Sequence, residues 1–313
     1  MRIAHLSDLH LCSKFKRENI LKTNKLIRHA LDKGAEHFVI TGDISDNANS
    51  GDFNTFRNIL RKFDLLRADK ATVIIGNHDI FGGPQAASDI IKFPQKCINT
   101  DYNRKIYYFV NYFRELFEGT YRYNDEVFFP FVKVLDKVAL IGLNTVDYYS
   151  RLKNPFASNG HVSKLQRKLF SQLLFSTDLK EKVKVVLAHH HFYRRNEIAR
   201  SSEESLWGRI ENYTMKLRDK KKLIKLFTQN NVKLVLHGHS HEMREYVREG
   251  ISFLNAGASI DNNSVSEAAL FLVDVYPAAI QSELCFIQTN TTANPEEDFG
   301  QIQLDNQYKA IPA

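Results

Sequence analysis

Asp8 and His10 lie two residues apart, directly past the first apolar run of the chain. The same arrangement recurs further on. Asp43 follows the run His37–Thr41, and Asn77 and His78 follow Ala71–Ile75. His189 follows Lys182–Ala188, and His239 and His241 follow Lys233–Leu236. One of these alone means little, because an Asp after a strand usually caps a helix. Five strand ends that all carry Asp, His or Asn form a ligand set. Two metal ions about 3.5–4 Å apart need one shared carboxylate and several neutral donors each. Asp8, His10, Asp43 and His241 suffice for one ion, and Asp43, Asn77, His189 and His239 for the other. Asp43 is the bridge, since a carboxylate offers two oxygens where imidazole offers one free nitrogen. Such mixed nitrogen and oxygen donors suit Mn, Fe or Zn. Cys12, Cys97 and Cys285 stand outside the set, which speaks against a structural zinc site.

These residues must be carried to one place by regular elements. Arg2–Leu6 reads as a strand, Glu18–Lys33 as a helix with Ile20, Ile27 and Leu31 on one face, and His37–Thr41 as a second strand. Phe53–Phe63 reads as a helix capped by Asp52, and Ala71–Ile75 as a third strand. This alternation predicts an α/β fold with parallel strands, crossover helices and ligands at the strand C-terminal ends. The pattern breaks from Phe81 to about Asp136, which reads as a cap or insert, with a helix near Tyr107–Phe117. Six Tyr and six Phe fall between Tyr102 and Phe131, rich enough to pack on the sheet, line a substrate wall or form an interface. Beyond it come the strand Lys137–Leu143, a helix Ser163–Leu174 with a Ser163/Gln166 capping box, and the basic helix Tyr213–Gln229. From Met243 to Gln288 short alternating strands predict antiparallel structure and a second sheet. Residues 1–288 thus read as one domain, and the polar residues 289–313 as a mobile tail.

The 313 residues carry 43 Lys+Arg against 36 Asp+Glu, a net charge of +7. At 43% apolar and 25% charged the composition is that of a globular protein with a sizeable core. No run nears the ~18 apolar residues of a spanning helix, and the opening residues do not read as a signal peptide, so a cytoplasmic protein is expected. The basic balance favours an anionic ligand, a small phosphate ester above all, and allows peripheral contact with an anionic membrane. Nothing resembles a DNA-binding motif, which ranks nucleic acid low.

The blocks Asp8-Leu9-His10, Gly42-Asp43-Ile44-Ser45-Asp46, Gly76-Asn77-His78-Asp79, His189-His190 and Gly238-His239-Ser240-His241 resemble the signature of the calcineurin-like metallophosphoesterases, in order and in spacing. The resemblance runs from Arg2 to about Val275. It implies a four-layer αββα sandwich with two mixed β-sheets. It also implies two divalent metal ions, Mn²⁺ or an Fe/Mn pair with Zn²⁺ admissible, and in-line attack of a metal-bridging hydroxide on a phosphate ester. The family's ligands fall on the seven positions counted above. His78 matches a histidine that contacts the phosphate or the leaving group, so His78 and Asp43 are the catalytic candidates. Asp46 and Asp79 are candidates for orienting His78 or a metal-bound histidine. His191, Arg194 and Arg195 are candidate substrate contacts. Within the family the sequence looks closest to the cyclic-nucleotide and glycerophosphodiester phosphodiesterases. The alternative is a pyrophosphatase acting on a nucleotide-linked sugar or lipid precursor. A nuclease and a phosphomonoesterase rank lower, the latter because no tyrosine stands beside Asp43 as in the family's acid phosphatases. A scaffold role would follow from lost ligands, and none is lost.

Overall fold

In the computed structural model, which describes residues 1–83, 87–193, 215–260 and 267–289, the first apolar run becomes β1 (Arg2–Leu6). Four of its five residues are buried, as a strand covered on both faces requires. β2 (His37–Ile40) and β3 (Ala71–Val73) continue beside it in parallel. The second sheet runs in the order β4 (Tyr121–Arg122), β5 (Phe131–Val134), β6 (Val138–Gly142), β7 (Val183–Leu187), β8 (Val232–His237), β10 (Ile251–Ala256) and β9 (Met243–Arg248). Its centre, β6 through β10, is parallel.

The C-terminal strands do not make a sheet of their own, contrary to expectation. β9 and β10 extend the second sheet beside β8. β11 (Glu267–Val275) and β12 (Ile280–Gln288) return to the free edge of β1, with β11 antiparallel to it. Each parallel core has an edge of unpaired N–H and C=O groups, and pairing those edges removes their desolvation cost. Both sheets thereby become mixed.

Side-chain alternation defines the layers. Val185, Leu187, Leu234 and Leu236 pack in one cluster with Ile3, Val39 and Val73 of the first sheet. Their neighbours Val186, Val235 and Phe253 point the other way, onto Phe170 and Leu173 of the helix Lys164–Ser176 and Leu223 and Phe227 of the helix Lys220–Gln229. The first sheet is covered by α1 (Arg17–Asp32) and α2 (Ser50–Lys62), whose Phe53, Phe56 and Leu60 face the core. The result is a four-layer αββα sandwich. The single turn α3 (Asn77–Ile80), then α4 (Ala87–Ile98) and α5 (Tyr102–Tyr112), lie between the halves in sequence, so the two outer helices are α6 (Lys164–Ser176) and α7 (Lys220–Gln229). No helix among the described residues is long and apolar enough to cross a membrane.

Several element boundaries depart from the sequence reading, each for a local reason. α2 starts three residues early because Asn49, in extended backbone, accepts the Gly51 N–H at 2.8 Å. Asp52 then lies inside the first turn and accepts instead from Ser13 N and Ser45 Oγ, both at 3.2 Å. α5 begins at Tyr102 because Asp101 caps it, accepting from Arg104 N at 3.0 Å. α7 begins only at Lys220: Leu217 bridges to Gly160, and Asp219 takes a left-handed turn with φ 57°. Ser163 caps α6 as expected, but Gln166 turns its side chain to both backbone groups of Asn144, at 2.9 and 2.8 Å. Several rings of the aromatic stretch pack on the sandwich, and Tyr102 meets Tyr148 at 4.1 Å. Phe113 meets Phe53 and Phe56 of α2 at 5.7 and 6.0 Å, and Phe117 meets Phe131 of β5 at 5.3 Å.

Lys133 of β5 is buried and donates to the carbonyls of Ala68, Ala71 and Leu116 at 2.9, 2.8 and 2.7 Å. Burial, opposed in part by Asp69, pushes its pKa down to about 7. Three acceptors use all three hydrogens of an ammonium, however, and so favour the protonated form. Lys133→Met should lower the free energy of urea unfolding by about 3 kcal/mol, since three carbonyls lose their donor. A loss below about 1 kcal/mol would show that water replaces it.

Candidate metal centre

The ligand loops leave the strands through an unusual backbone. Asp8, His10, Asp43, His239 and His241 have φ of 54°, 43°, 52°, 76° and 44°, so five of the eleven non-glycine residues with positive φ among the described residues are candidate ligands. Each costs about 1–2 kcal/mol in an L-residue, and such strain persists only where the surroundings hold it. Here adjoining loops do so. Asp8 N donates to Gly42 O at 3.1 Å, His10 N to Asp43 O at 2.9 Å and Gly238 N to His189 O at 2.9 Å. Gly42 is required between them: its φ is +98°, and a Cβ there would lie 2.7 Å from His189 Nδ1.

Asp43, His189 and His239 bring their ligand atoms together at the junction of the two sheets. His189 Nδ1 lies 2.8 Å from Thr41 O, and His239 Nε2 lies 3.0 Å from Ser158 O. A carbonyl accepts only, so each of these nitrogens carries the hydrogen, and the other ring nitrogen keeps its lone pair. Those remaining nitrogens, His189 Nε2 and His239 Nδ1, face each other at 3.1 Å. Asp43 Oδ2 stands 3.3 Å from His189 Nε2, and Asn77 Oδ1 3.0 Å from it. The amide of Asn77 admits either orientation, but the two imidazole lone pairs and the carboxylate still point at one another. A cation resolves that repulsion. The electrostatics agree: burial disfavours charge on both partners, yet Asp43 is held well below the usual carboxylate range and His189 is raised above the usual imidazole range. Without an ion the cluster draws a proton to the place of one.

Asp8, His10 and His241 form the second cluster, with Asp8 Oδ1 at 3.8 Å from His10 Nε2 and 4.0 Å from His241 Nε2. Asp8 Oδ1 and His10 Nε2 are buried and make no hydrogen bond, while His10 Nδ1 faces Asp46 Oδ1 at 3.4 Å. Buried polar atoms without partners are costly, and an ion at this point would satisfy them. Asp8 Oδ2 ties the clusters together by accepting from His239 N at 2.9 Å.

His78 completes the site. Its Nδ1 donates to Asp46 O at 3.0 Å, its backbone N–H to Asp43 Oδ1 at 2.8 Å, and its ring meets that of His10 edge-on at 4.7 Å. Burial pulls its pKa down, but the carboxylates of Asp43 and Asp46 outweigh this and raise it to about 9. The His78 side chain is 25% exposed and that of His241 43%, against 5% or less for Asp8, His10, Asp43 and His189. The site therefore opens on the side of His78 and His241. Asp46 lies 3.4 Å from His10 Nδ1 and 3.2 Å from Lys16 Nζ. Asp79 takes a different set of partners: its oxygens accept Ser45 N and Gly76 N, both at 2.9 Å, and so clamp the Asp43 and Asn77 loops to each other.

The whole of Asp8, His10, Asp43, Asn77, His189, His239 and His241 thus converges. His191 does not join: it is buried, its Nε2 lies 2.6 Å from Met215 O, and its ring stacks on Tyr193 at 5.0 Å. Arg194, Arg195 and the tail from residue 290 lie outside the described residues. The sequence reading missed the carbonyls of Thr41 and Ser158, which carry no side-chain signal. It also missed Asn255, buried at the end of β10, which donates to Ser240 Oγ at 2.6 Å and to Tyr193 OH at 2.8 Å and so steadies the His239–His241 turn.

A family model described as calcineurin-like phosphoesterase matches residues 1–243, and all seven ligands fall within that span. The chain belongs to this family. Its sequence matches none of the curated proteins. Among solved structures, the phosphoesterase is similar to a dimetal phosphatase from Danio rerio, at 10% identity and a TM-score of 0.53, with 93% of this chain and 99% of that one covered. It is also similar to a purple acid phosphatase from yellow lupin (Lupinus luteus) seeds, at 13% identity and a TM-score of 0.53, with 92% of this chain and 53% of the lupin chain covered. The phosphoesterase thus spans about half of the lupin protein, and likeness at such identity speaks to the fold. Two divalent ions are what this family uses, and the donor set fits them: two carboxylates, four imidazoles and one amide, with fixed tautomers at His189 and His239.

Proposed function

We propose that the chain hydrolyses a small phosphodiester with two divalent ions, Mn²⁺ or an Fe/Mn pair, held by Asp8, His10, Asp43, Asn77, His189, His239 and His241. The observation that carries this reading is the meeting of His189 Nε2, His239 Nδ1 and Asp43 Oδ2 within 3.3 Å of one another in pairs about His189, with both imidazole hydrogens committed elsewhere. When bound, the ions supply Lewis acidity toward the phosphoryl oxygens and lower the pKa of water toward neutrality. Asp8 and Asp43 are the two carboxylates of the set, so they neutralise half of four positive charges. Asp43 shares itself between the clusters, and Asp8 holds the His239 amide in place. His78, with Nδ1 fixed on the Asp46 carbonyl, offers Nε2 on the open side, where it stabilises or protonates the departing oxygen.

The test strips the protein with a chelator, restores Mn²⁺ and compares bis(4-nitrophenyl) phosphate with 4-nitrophenyl phosphate. The expected kcat/KM is at least about tenfold higher for the diester, a difference of about 1.4 kcal/mol in transition-state binding. A preference for the monoester would overturn the diester reading. Full turnover without metal would overturn the metal-dependent one.

A further inference from the structure

The loop Asp46–Ala48 lies against the open side of the site, because the Asp46 carbonyl holds both His78 Nδ1 and Gly83 N, each at 3.0 Å. Two lysines from the aromatic stretch reach the same loop. Lys96 of α4 donates to Asn47 Oδ1 at 3.2 Å, and Lys105 of α5 donates to Ala48 O at 3.1 Å. Each ammonium has three hydrogens and spends one of them here. No carboxylate of the described residues lies within 4.0 Å of either, since the Asp46 carboxylate is taken up by His10, His78 and Lys16. Lys96 is close to the imidazole. A Cβ on Gly82 would lie 2.6 Å from Lys96 Nζ, and one on the next residue, Gly83, would lie 2.4 Å from His78 Cε1.

Two ammonium groups that reach adjacent residues of one loop repel each other, and the Asp89 and Asp46 carboxylates offset this only at Lys96. Burial lowers the pKa of both, and Lys96 lowers that of Lys105 further. An anion between them would relieve both effects. Lys96 is open to solvent and Lys105 half-buried, so a ligand has access.

We propose that Lys96 and Lys105 form an anion subsite beside His78 that takes a second phosphate group of the substrate. The inference rests on the phosphodiesterase reading and names its substrate class. His78 stands on the leaving-group side, so the extra charge belongs to the departing part, as in a phosphoanhydride diester of the nucleoside diphosphate-linked kind. Lysine suits this role, since it meets phosphate as a mobile point charge and needs no planar match.

The probes are phosphate, pyrophosphate and tripolyphosphate, titrated by calorimetry into the Mn²⁺-loaded protein. The metal ions hold one phosphate of each probe in every variant, so the lysines read out in the gain from phosphate to the longer ions. Wild type should bind the best of the longer ions about tenfold more tightly than phosphate, the worth of one or two charge-assisted hydrogen bonds. Lys96→Gln with Lys105→Gln keeps a donor to the loop at each position and removes the charge. The double variant should lose that gain, with phosphate affinity changed less than about twofold. Lys96→Gln alone, on the exposed face of α4, should lose part of it and covers the case in which the double variant fails to fold. An intact gain in the variants, or an equal loss for all three probes, overturns the subsite. Binding is read here without turnover, so failure of the aryl diester assay sinks the phosphodiesterase reading separately.

Discussion

Asp43→Asn should reduce bound metal from two ions to one or none and lower turnover by at least about a thousandfold, because Asp43 is the proposed bridge between the two ions. The geometry sets the direction. Asp43 Oδ1 accepts the His78 backbone N–H at 2.8 Å, and an asparagine keeps its amide oxygen there. Its NH₂ then replaces Oδ2, 3.3 Å from His189 Nε2. That NH₂ donates to the imidazole lone pair, so the substitution removes a negative charge and also occupies a second ligand. Asp8 remains as the one carboxylate among the candidate ligands, too little to hold two divalent charges close together. The fold should persist, since the carboxylate sits among strained, buried and mutually repelling groups when no ion is present. Atomic emission on the purified variant checks the prediction. Two ions still bound per chain would remove Asp43 from the bridge.

His78→Ala should have the opposite signature: both ions retained, with kcat lower by about a hundredfold to a thousandfold. The ring hydrogen-bonds to Asp46 O and packs edge-on to His10, and although it stands with His10 and Asp46 as a third group of possible donors, none of the seven proposed ligands is a His78 atom. Loss of the ring should therefore leave metal content near two. The loss of rate should depend on the leaving group. A nitrophenolate leaves with little help, whereas an alkoxide needs charge stabilisation or a proton, so an alkyl diester should suffer more than an aryl diester. Equal losses for both would assign His78 to positioning of the phosphoryl group, and near-wild-type turnover of both would take it out of the mechanism.

Much of this centre is written in the order of residues along the chain. The runs that become β1, β2, β3, β7 and β8 are short, apolar and flanked by polar residues, and parallel strands buried on both faces need that composition. Each of those strands ends in the residue types that converge. The reason is local: a side chain directly past the C-terminal end of a parallel strand is carried to the same edge of the sheet whatever the connections do. The Ser163 cap and the apolar faces of α1 and α2 were legible for the same kind of reason, since caps and periodicity act within a few residues.

Other features depend on partners far away in sequence and were not legible. β10 and β11 have similar alternation, yet one joins β8 and the other β1, a choice made by which free edge lay within reach. The start of α2 turned on Asn49 rather than Asp52 because Asp52 had better acceptor work at Ser13 and Ser45. The left-handed backbone of Asp8, His10 and Asp43 is held by hydrogen bonds between loops more than thirty residues apart. The tautomers of His189 and His239 are set by the carbonyls of Thr41 and Ser158, groups that every residue carries and that no sequence pattern marks. By itself, then, the sequence determined which side chains are available as ligands and which end of the sheet they reach. Only the tertiary structure decided which lone pairs they present to one another, because that depends on backbone groups brought together from separate loops.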